Sequence, residues 1–315
     1  MLKIFLKKII ELILVLFFVS LTVFFVFRML PGDPAQMRLG LSPTPEALTA
    51  LRMQMGLDKP LIVQYVKWIS NLLHGDLGNS MIDGTAVSKM LMEKIPKTFE
   101  LAVYGTIMSI LIAVPTGVLA AIKKKSWIDR FSRGIALFGF SIPTYWLAIL
   151  LMLLFSNWMH WLPAGGYVSI NESFTGHIKT LILPVLTVGI INAAQIFRFL
   201  RSGMLEVINQ DFIRTARAKG LSKWMVIGKH VARNTLPSLI TIIALNFSLL
   251  LSGMVVTEQI FAWPGLGWLT IQSILSRDYD VVQGAVLISA VIIVVINLIA
   301  DLMIVLFDPR IRHTR

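Results

Sequence analysis

Six long runs of apolar residues constrain the fold of this chain more than any other feature of its sequence. An α-helix needs about 20 apolar residues to cross the hydrocarbon core of a bilayer, and each run is long enough to do so. The runs are approximately Ile4–Phe27, Thr98–Ile122, Ile135–Trp158, Thr180–Leu200, Leu236–Val256 and Val281–Phe307. They predict an all-α integral membrane protein with six transmembrane helices.

The composition agrees with a membrane protein. Of the 315 residues, 56% are hydrophobic and 15% are charged, whereas about a quarter of the residues of a soluble domain carry a charge. The net charge of +12 would by itself fit a nucleic-acid-binding protein, but such a protein does not need long uncharged runs. The chain has no cysteine, which excludes disulfides, thiolate metal sites and a cysteine nucleophile.

The first run has three lysines at its start, which is also a feature of secretory signal peptides. Its apolar stretch is longer than that of a signal peptide, and "FRMLPGDP" after it lacks the small residues of a cleavage site. We therefore expect an uncleaved membrane anchor.

Basic residues orient the helices, because the cytoplasmic loops of membrane proteins carry an excess of Lys and Arg. With the N-terminus in the cytoplasm, 19 of the 29 basic residues fall on the inner side. The two short outer loops then hold only Lys179 and Arg277 as bases. We predict that both termini are cytoplasmic.

The long outer segment Pro31–Lys97 carries two sets of helix signals. "TPEALTALRMQMG" has Thr44 as N-cap and Gly56 as stop, and "DKPLIVQYVKWISNLLHG" repeats the pattern with Asp58 and Gly75. We expect short helices on the outer face. The second helix has an apolar stripe that would lie on the membrane or against the protein. The stripe consists of Leu61, Tyr65, Trp68 and Leu72.

Two other outer loops contain polar residues of interest. The loop Met159–Lys179 holds His160, Glu172 and His177. Their spacing matches no metal-site template, and we expect solvated side chains and no metal site. The last outer loop begins at Glu258 and mixes apolar residues with helix breakers in "FAWPGLG", so we expect it to fold back onto protein. Glu258 either marks the membrane surface, or orders this loop or faces a water-filled path, and both interpretations stay open.

Polar residues inside the apolar runs are candidates for lining a translocation path. The alternative role for each is a hydrogen bond between helices. The candidates are Asn192, Gln195, Asn246, Ser248 and Glu258. In the last run Asn297 and Asp301 lie four residues apart and share one helix face. A carboxylate there must pair or meet water, and we expect a structural partner among the inner arginines.

One basic stretch, "DFIRTARAKGLSKWMVIGKHVARNTLP", interrupts the apolar pattern. The predicted orientation makes it cytoplasmic. We expect a first helix over Asp211–Lys219, with Asp211 as its cap and a left-handed turn at Gly220 as its end. A second helix should begin at Ser222 and break at Pro237. We call these two helices and their turn the elbow.

The first helix of the elbow has the features of a docking helix. The small residues Ala216 and Ala218 leave its backbone thinly covered, and basic residues surround it, which suits a groove on another protein. The alternative is an interfacial helix that holds anionic lipid, but only Phe212 and Ile213 supply a bulky apolar face. The predicted docking residues are Asp211, Phe212, Ile213, Arg214, Thr215, Ala216, Arg217, Ala218, Lys219 and Gly220.

Several motifs together resemble those of binding-protein-dependent ABC importer permeases of the dipeptide, oligopeptide and nickel type. They are "RMLPGDP" at residues 28–34, "LGNS" at 77–80, "TFELA" at 98–102, "RTARAKGL" at 214–221, "RN" at 233–234 with "LP" at 236–237, "IFAWPGLG" at 260–267 and "DPRIR" at 308–312. The chain is most similar to the first, B-type permease subunit. The resemblance implies a type I ABC importer permease fold, with an anchor helix and an extracytoplasmic helical segment in residues 1–97. Residues 98–315 would form a five-helix core with a cytoplasmic coupling loop at 201–235.

The elbow departs from the wider importer pattern in two respects. That pattern opens with Glu-Ala-Ala, whereas Arg214, Thr215 and Ala216 stand at the equivalent positions here, so the acid is missing. The pair Leu236–Pro237 also comes about one helical turn late. Both departures are similar to the peptide and nickel subfamily, so the helix, the turn and the docking role carry over, and the contact of the missing Glu does not.

The resemblance also implies partners and an energy source. The nearest candidate for a phosphate-binding loop, "GKH" at residues 228–230, lacks the upstream Gly and the Ser or Thr of a Walker A motif. We therefore expect no enzyme activity and no cofactor in this chain, and ATP with Mg²⁺ on partner ATPases. The implied partners are two cytoplasmic ATPase subunits, a second homologous permease, an extracytoplasmic solute-binding protein and the lipid of a bacterial inner membrane.

The substrate is left open by the sequence. Dipeptides and oligopeptides, glutathione-like peptides included, are implied first, with nickel or metal chelates as the alternative. An ion-coupled secondary transporter is an alternative of another class, but it should show an internal repeat and ionisable residues near the midplane of the membrane.

Overall fold

The computed structural model describes residues 2–29, 34–39 and 44–307, and regular structure in this part of the chain is helical apart from one β-bridge between Asn79 and Ala86. The helices are α1 (Leu2–Met29), α2 (Pro34–Leu39), α3 (Pro45–Met55), α4 (Leu61–Leu73), α5 (Val87–Ile122), α6 (Trp127–Ser141), α7 (Thr144–Leu151), α8 (Phe174–Ile208), α9 (Asp211–Ala218), α10 (Lys223–Met225), α11 (Ala232–Ile260), α12 (Leu266–Leu275) and α13 (Tyr279–Phe307). Two π-helical segments, Met152–Trp158 and Val226–Val231, continue α7 and α10. Residues 30–33 of the "RMLPGDP" motif and the whole "DPRIR" motif lie outside the described residues.

Among the described residues, five helices are long and apolar enough to cross a membrane without interruption. They cover Lys8–Met29, Val87–Ile122, Phe174–Ile208, Lys223–Ile260 and Tyr279–Leu302. The remaining predicted span, Ile135–Trp158, is not one straight helix. The helix α6 and the helix over Thr144–Trp158 meet at 106°. The break falls at Ile142 and Pro143, where Ile142 is extended at φ −76° and ψ 128°. Proline disfavours helical backbone in the residue before it, which accounts for the break. The six-helix prediction holds when the bent pair is counted as one span, and the cytoplasmic location of the termini stays a prediction.

The chain forms two compact units. The N-terminal unit consists of Met1–Lys97 and Gly265–Val295, and the core unit consists of Thr98–Pro264 and Ile296–Arg315. The division between them therefore falls inside α5 and α13. The domain division at residues 97 and 98 that the sequence suggests stays a prediction.

In the N-terminal unit, the amphipathic helix α4 packs on α1. The ring of Phe24 lies 5.3 Å from that of Tyr65 and 5.7 Å from that of Trp68, and the hydroxyl oxygens of Ser20 and Tyr65 are 2.9 Å apart. Aromatic pairs at these distances stabilise packing beyond the burial of their area. Of the two locations left open for the apolar stripe, the structure selects the protein for Tyr65 and Trp68.

The caps of the two outer helices match the sequence signals only in part. Thr44 caps α3 by accepting a hydrogen bond from the backbone N–H of Ala47, and Gly56 ends α3 at a φ of +70°. Asp58, in contrast, does not cap α4, whose N-cap is Pro60. The prediction of an Asp58 cap was wrong.

The rest of the N-terminal unit packs α12 and α13 against the start of α5. Its buried core consists of Val87, Leu91, Leu266, Leu269, Val281 and Ala285. Ahead of α13, the buried carboxylate of Asp278 accepts hydrogen bonds from the Ser80 hydroxyl at 2.5 Å and from the backbone N–H of Met81 at 3.0 Å. These two bonds tie the "LGNS" loop to the segment between α12 and α13.

In the core unit, α8 is the central helix and packs against α6, α7 and α11. Small residues allow α5 to approach it closely. A Cβ on Gly105 would lie 2.5 Å from Cγ2 of Val188, and a Cβ on Gly189 would lie 2.7 Å from Cγ of Met108. Close backbone approach at small residues is the usual way in which membrane helices associate.

The helix that follows the elbow does not break at Pro237, so this prediction was wrong. Pro237 lies inside α11, which continues to Ile260. Membrane helices tolerate proline because hydroxyl side chains and neighbouring helices satisfy the freed backbone groups.

Candidate functional site

The elbow forms a tight helical turn between α8 and α11. After α8, the chain reverses at Asn209 and Gln210, and α9 begins at Asp211. Gln210 is the N-cap residue of α9 and makes no side-chain cap, so the prediction that Asp211 is the cap was wrong. Gly220 adopts a φ of +80°, a conformation that glycine reaches without steric cost. Ser222 then caps α10 by accepting from the backbone N–H of Met225 at 3.4 Å.

The inner face of α9 is anchored in the core unit. Ile213 is 1% exposed and Ala216 is 6% exposed. They belong to one buried cluster with Ala121 of α5, Leu200, Met204 and Val207 of α8, and Val226, Ile227 and Val231 of the π-helical segment. Of the two small residues expected to leave the backbone of α9 thinly covered, Ala216 is buried in this cluster, which contradicts the expectation for it, and Ala218 is exposed. The cluster attaches α9 to the ends of three long helical elements at once.

The outer face of α9 is exposed and basic. Arg214, Arg217 and Lys219 are exposed, and Phe212 adds an apolar side chain that is 41% exposed. The one acid of this face, Asp211, lies 3.3 Å from Arg214, but both side chains are largely in solvent, so the pair contributes little. Beside this face lies a groove of about 390 Å³ that Arg217, Leu221 and Lys223 help to line. This surface can bind a partner that offers acidic and polar groups around an apolar contact.

A buried ion pair next to the elbow was missed by the sequence analysis. The carboxylate of Asp129 is 1% exposed and accepts from Arg201 through two parallel bonds, Nε to Oδ1 at 2.7 Å and the terminal nitrogen to Oδ2 at 2.9 Å. The backbone N–H of Lys125, which has a φ of +65°, donates to the same carboxylate at 3.0 Å. The pair joins the first turn of α6 to α8. Its signal in the sequence was a single acid among the five bases of Lys123–Arg133.

Glu258 is completely buried, which contradicts the interpretation that it marks the membrane surface. Its Oε1 accepts a hydrogen bond from the Thr98 hydroxyl at 2.6 Å. Its backbone carbonyl accepts from the N–H of Trp263 at 2.8 Å, and Trp263 is also fully buried. The side chain of Glu258 therefore binds α5, its backbone carbonyl contacts the loop that follows α11, and its role in ordering that loop stays a prediction.

His177 belongs to a second buried cluster near this loop. It is 3% exposed, so the expectation of a solvated histidine was wrong for this residue. Its Nδ1 lies 2.7 Å from the carbonyl oxygen of Val168, and its Nε2 lies 2.8 Å from Oε1 of Glu100. Because a carbonyl only accepts, Nδ1 must carry a hydrogen, and one further proton must lie between Nε2 and the carboxylate.

Aromatic rings cover this histidine. The ring of Tyr167 stands edge-on to His177 at 5.7 Å and to Trp263 at 4.8 Å. Burial, together with the charge of Glu100, raises the pKa of the Tyr167 phenol above its ordinary value, so the phenol stays protonated near neutral pH. Among the described residues, no group of three or more His, Cys, Asp or Glu side chains is placed to hold a metal ion.

The path candidates make helix hydrogen bonds in this chain. The amide of Asn192 donates to the carbonyl oxygen of Val188 at 2.8 Å. The hydroxyl of Ser248 donates to Oδ1 of Asn297 at 2.6 Å and thereby links α11 to α13. Gln195 is half-buried and lies on α8 with Asn192.

Asn246 differs from the other candidates because half of its amide is unsatisfied. Its nitrogen donates to the carbonyl oxygen of Ile242 at 2.9 Å, while its Oδ1 is buried without a hydrogen-bond partner in the described part of the chain. The structure therefore assigns bonds to most of these side chains, and their role in a path stays a prediction.

The described part of the chain thus has helices long enough to cross a membrane and an exposed basic helical turn between two of them. The model of the family described as "Binding-protein-dependent transport system inner membrane component" matches residues 113–313, and that of its N-terminal part matches residues 1–102. The chain belongs to this family. It is a multi-pass protein of the inner membrane, as the sequence predicted.

Curated relatives match almost the whole chain. A putative peptide transport system permease protein of Brucella abortus (strain 2308) is 42% identical over 308 residues, which are 98% of each chain. The oligopeptide transport system permease protein AppB of Bacillus subtilis (strain 168) is 40% identical over 94% of each chain. The dipeptide transport system permease protein DppB of Escherichia coli (strain K12) is 38% identical over 94% of this chain and 95% of its own.

Solved structures show the same fold. An inward-facing form of the MetNI methionine ABC transporter matches with a TM-score of 0.59 at 16% identity, over 70% of this chain and 96% of that one. An amino acid ABC transporter matches with a TM-score of 0.52 at 16% identity, over 71% and 94%. The chain therefore has the type I ABC importer permease fold that its motifs implied.

Proposed function

We propose that this chain is one of two permease subunits of an ATP-driven importer that moves short peptides across the bacterial inner membrane. A solute-binding protein outside the cytoplasm would deliver the peptide, and a second homologous permease would complete the path. Two cytoplasmic ATPase subunits would bind ATP with Mg²⁺, and this chain would bind no cofactor of its own. The peptide substrate rests on the three relatives, all of which carry peptide transport in their names.

The observation that carries the proposal is the attachment of α9. Its inner face is packed into a cluster shared by α5, α8 and the π-helical segment, while its outer face is free to bind a partner. A push or pull on the outer face is therefore transmitted as a rigid-body motion, since packed side chains do not deform continuously. The ends of the attached spans would move with α9 and switch the central path between inward-open and outward-open states.

Exposed residues test this coupling better than buried ones. Ala216→Trp would disrupt the buried cluster and confuse loss of folding with loss of docking. Arg214→Glu together with Arg217→Glu changes only the outer face of α9, because both side chains are exposed. We expect this double variant to lose co-purification with the ATPase subunits and ATP-dependent uptake of a labelled dipeptide into proteoliposomes.

A matched control separates docking from surface charge. Lys123→Glu reverses an exposed base in the neighbouring loop, outside α9, and it should retain both readouts. Full uptake by the Arg214→Glu/Arg217→Glu variant would refute the coupling role of α9. Uptake that follows an ion gradient without ATP would instead favour a secondary transporter, and uptake of Ni²⁺ but of no dipeptide would overturn the peptide assignment.

A further inference from the structure

A groove between α6 and α8 in the core unit has a composition that none of the functions above uses. Its volume is about 260 Å³, which is below the range of about 300–1,000 Å³ for sites that enclose a whole small molecule. A groove of this size suits one end of a longer ligand. It is lined by Arg133, Ala136, Leu137 and Phe140 of α6 and by Ala194, Phe197 and Arg198 of α8.

Apart from its two arginines, the groove is apolar, and the two helices that form it approach closely beside Ala194. A Cβ on Gly139 would lie 3.4 Å from the Cβ of Ala194, which is contact distance. The walls are aromatic and aliphatic, and Leu137 and Phe140 remain 69% and 51% exposed. Hydrocarbon chains gain favourable contacts on such a surface.

Two arginines carry the positive charge of the groove. The guanidinium carbon of Arg198 lies 5.0 Å from the ring centre of Phe140 and 5.5 Å from that of Phe199. These cation–π contacts hold the side chain in place but do not neutralise it. Within the described residues, no carboxylate lies within 4 Å of the Arg198 guanidinium.

The second arginine is only partly neutralised. Nε of Arg133 lies 3.4 Å from Oδ1 of Asp129, but that carboxylate already accepts the two shorter bonds from Arg201. The Arg133 side chain is 53% exposed, so its remaining N–H groups are free to bind another acceptor. The groove therefore combines two guanidinium groups with an otherwise apolar lining.

We propose that this groove binds an anionic phospholipid. The phosphodiester group would accept hydrogen bonds from Arg133 and Arg198, because the planar guanidinium matches phosphate oxygens. The first part of an acyl chain would lie along Leu137 and Phe140. Basic pockets between membrane helices are known to favour lipids of this charge. A free peptide is the less suitable ligand, since its backbone would find no hydrogen-bond partners on these apolar walls.

Lipid retention by the assembled transporter tests the proposal. The complex is delipidated in detergent, incubated with mixed micelles of phosphatidylglycerol or phosphatidylcholine, and analysed by native mass spectrometry. We expect the wild type to retain phosphatidylglycerol and to release phosphatidylcholine. Arg133→Gln with Arg198→Gln should reduce phosphatidylglycerol retention at least tenfold, because both cationic groups that would bind the phosphodiester are lost.

Two variants serve as controls. Arg130→Gln removes an exposed arginine of α6 that lines a different, apolar groove with Trp127 and Phe131, and it should retain the lipid like the wild type. Arg198→Lys keeps the charge without the planar fork and should give intermediate retention, so a folded variant is available if the double variant fails to assemble. The proposal would be overturned if the wild type retained both lipids equally, or if a dipeptide displaced the bound lipid. It would also be overturned if Arg130→Gln lost as much phosphatidylglycerol as the Arg133→Gln/Arg198→Gln variant.

Discussion

Loss of the buried carboxylate of Asp129 should strongly destabilise the core unit. Asp129→Asn keeps the shape of the side chain but leaves Arg201 without its charged partner. The two hydrogen bonds measure 2.7 and 2.9 Å, and the Asp129 side chain is 1% exposed. Removing one partner of a buried ion pair costs about 3–5 kcal/mol. Since the Arg201 side chain is 17% exposed and regains part of its hydration, we expect the lower end, about 3 kcal/mol.

A double-mutant cycle measures this interaction directly. The free energy of unfolding is followed in mixed detergent–SDS micelles by circular dichroism for the wild type, Asp129→Asn, Arg201→Gln and the double variant. Asp211→Asn is the matched control, because its carboxylate is 94% exposed in an ion pair with Arg214, and it should change stability by less than about 0.5 kcal/mol. A coupling energy below about 1 kcal/mol between Asp129 and Arg201 would refute the reasoning.

Two further predictions concern the loop that follows α11. Gly165→Ala would place a Cβ 2.6 Å from the carbonyl oxygen of Phe261. Because backbone cannot rotate away as a side chain can, we expect a loss of about 1–3 kcal/mol in thermal-shift assays. Gly253→Ala, which meets nothing within 4 Å, should not destabilise, and equal losses in the two variants would contradict the close approach of Gly165 to Phe261. Thr98→Val removes the hydroxyl that donates to buried Glu258 and should cost about 1–3 kcal/mol in the same assay. Thr98→Ser should keep most of this stability, and a similar loss for both would show that the hydroxyl is not the cause.

The positions of most helices could be predicted from local patterns. The apolar runs gave the spans because length and hydropathy are properties of one segment. The turn at Gly220 and the caps at Thr44 and Ser222 followed from single residues whose conformational preferences hold in many contexts. The break at Pro143 could have been predicted in the same way, since proline restricts the residue before it. It was not predicted because the apolar run continues through Pro143.

The orientation of the elbow residues could not be obtained in this way. A helix of eight residues has too few apolar positions to define its inner face, and Ala216 is small enough to suit either face. Its burial depends on the ends of α5 and α8, and Ala121 at the end of α5 lies far from Ala216 in sequence. The same limit explains the wrong expectation for His177, whose partner Glu100 is 77 residues away.

The sequence by itself determined that this chain is a helical membrane protein with a basic elbow, and its motifs placed it among importer permeases. Hydropathy, charge and turn chemistry are local, so they survive without knowledge of the fold. Only the tertiary structure decided which buried polar groups are paired and with which partners. Asp129 with Arg201, and Glu258 with Thr98, are pairs from different helices. A charge removed from water needs a partner at hydrogen-bond distance, and only the packing of helices brings those partners together.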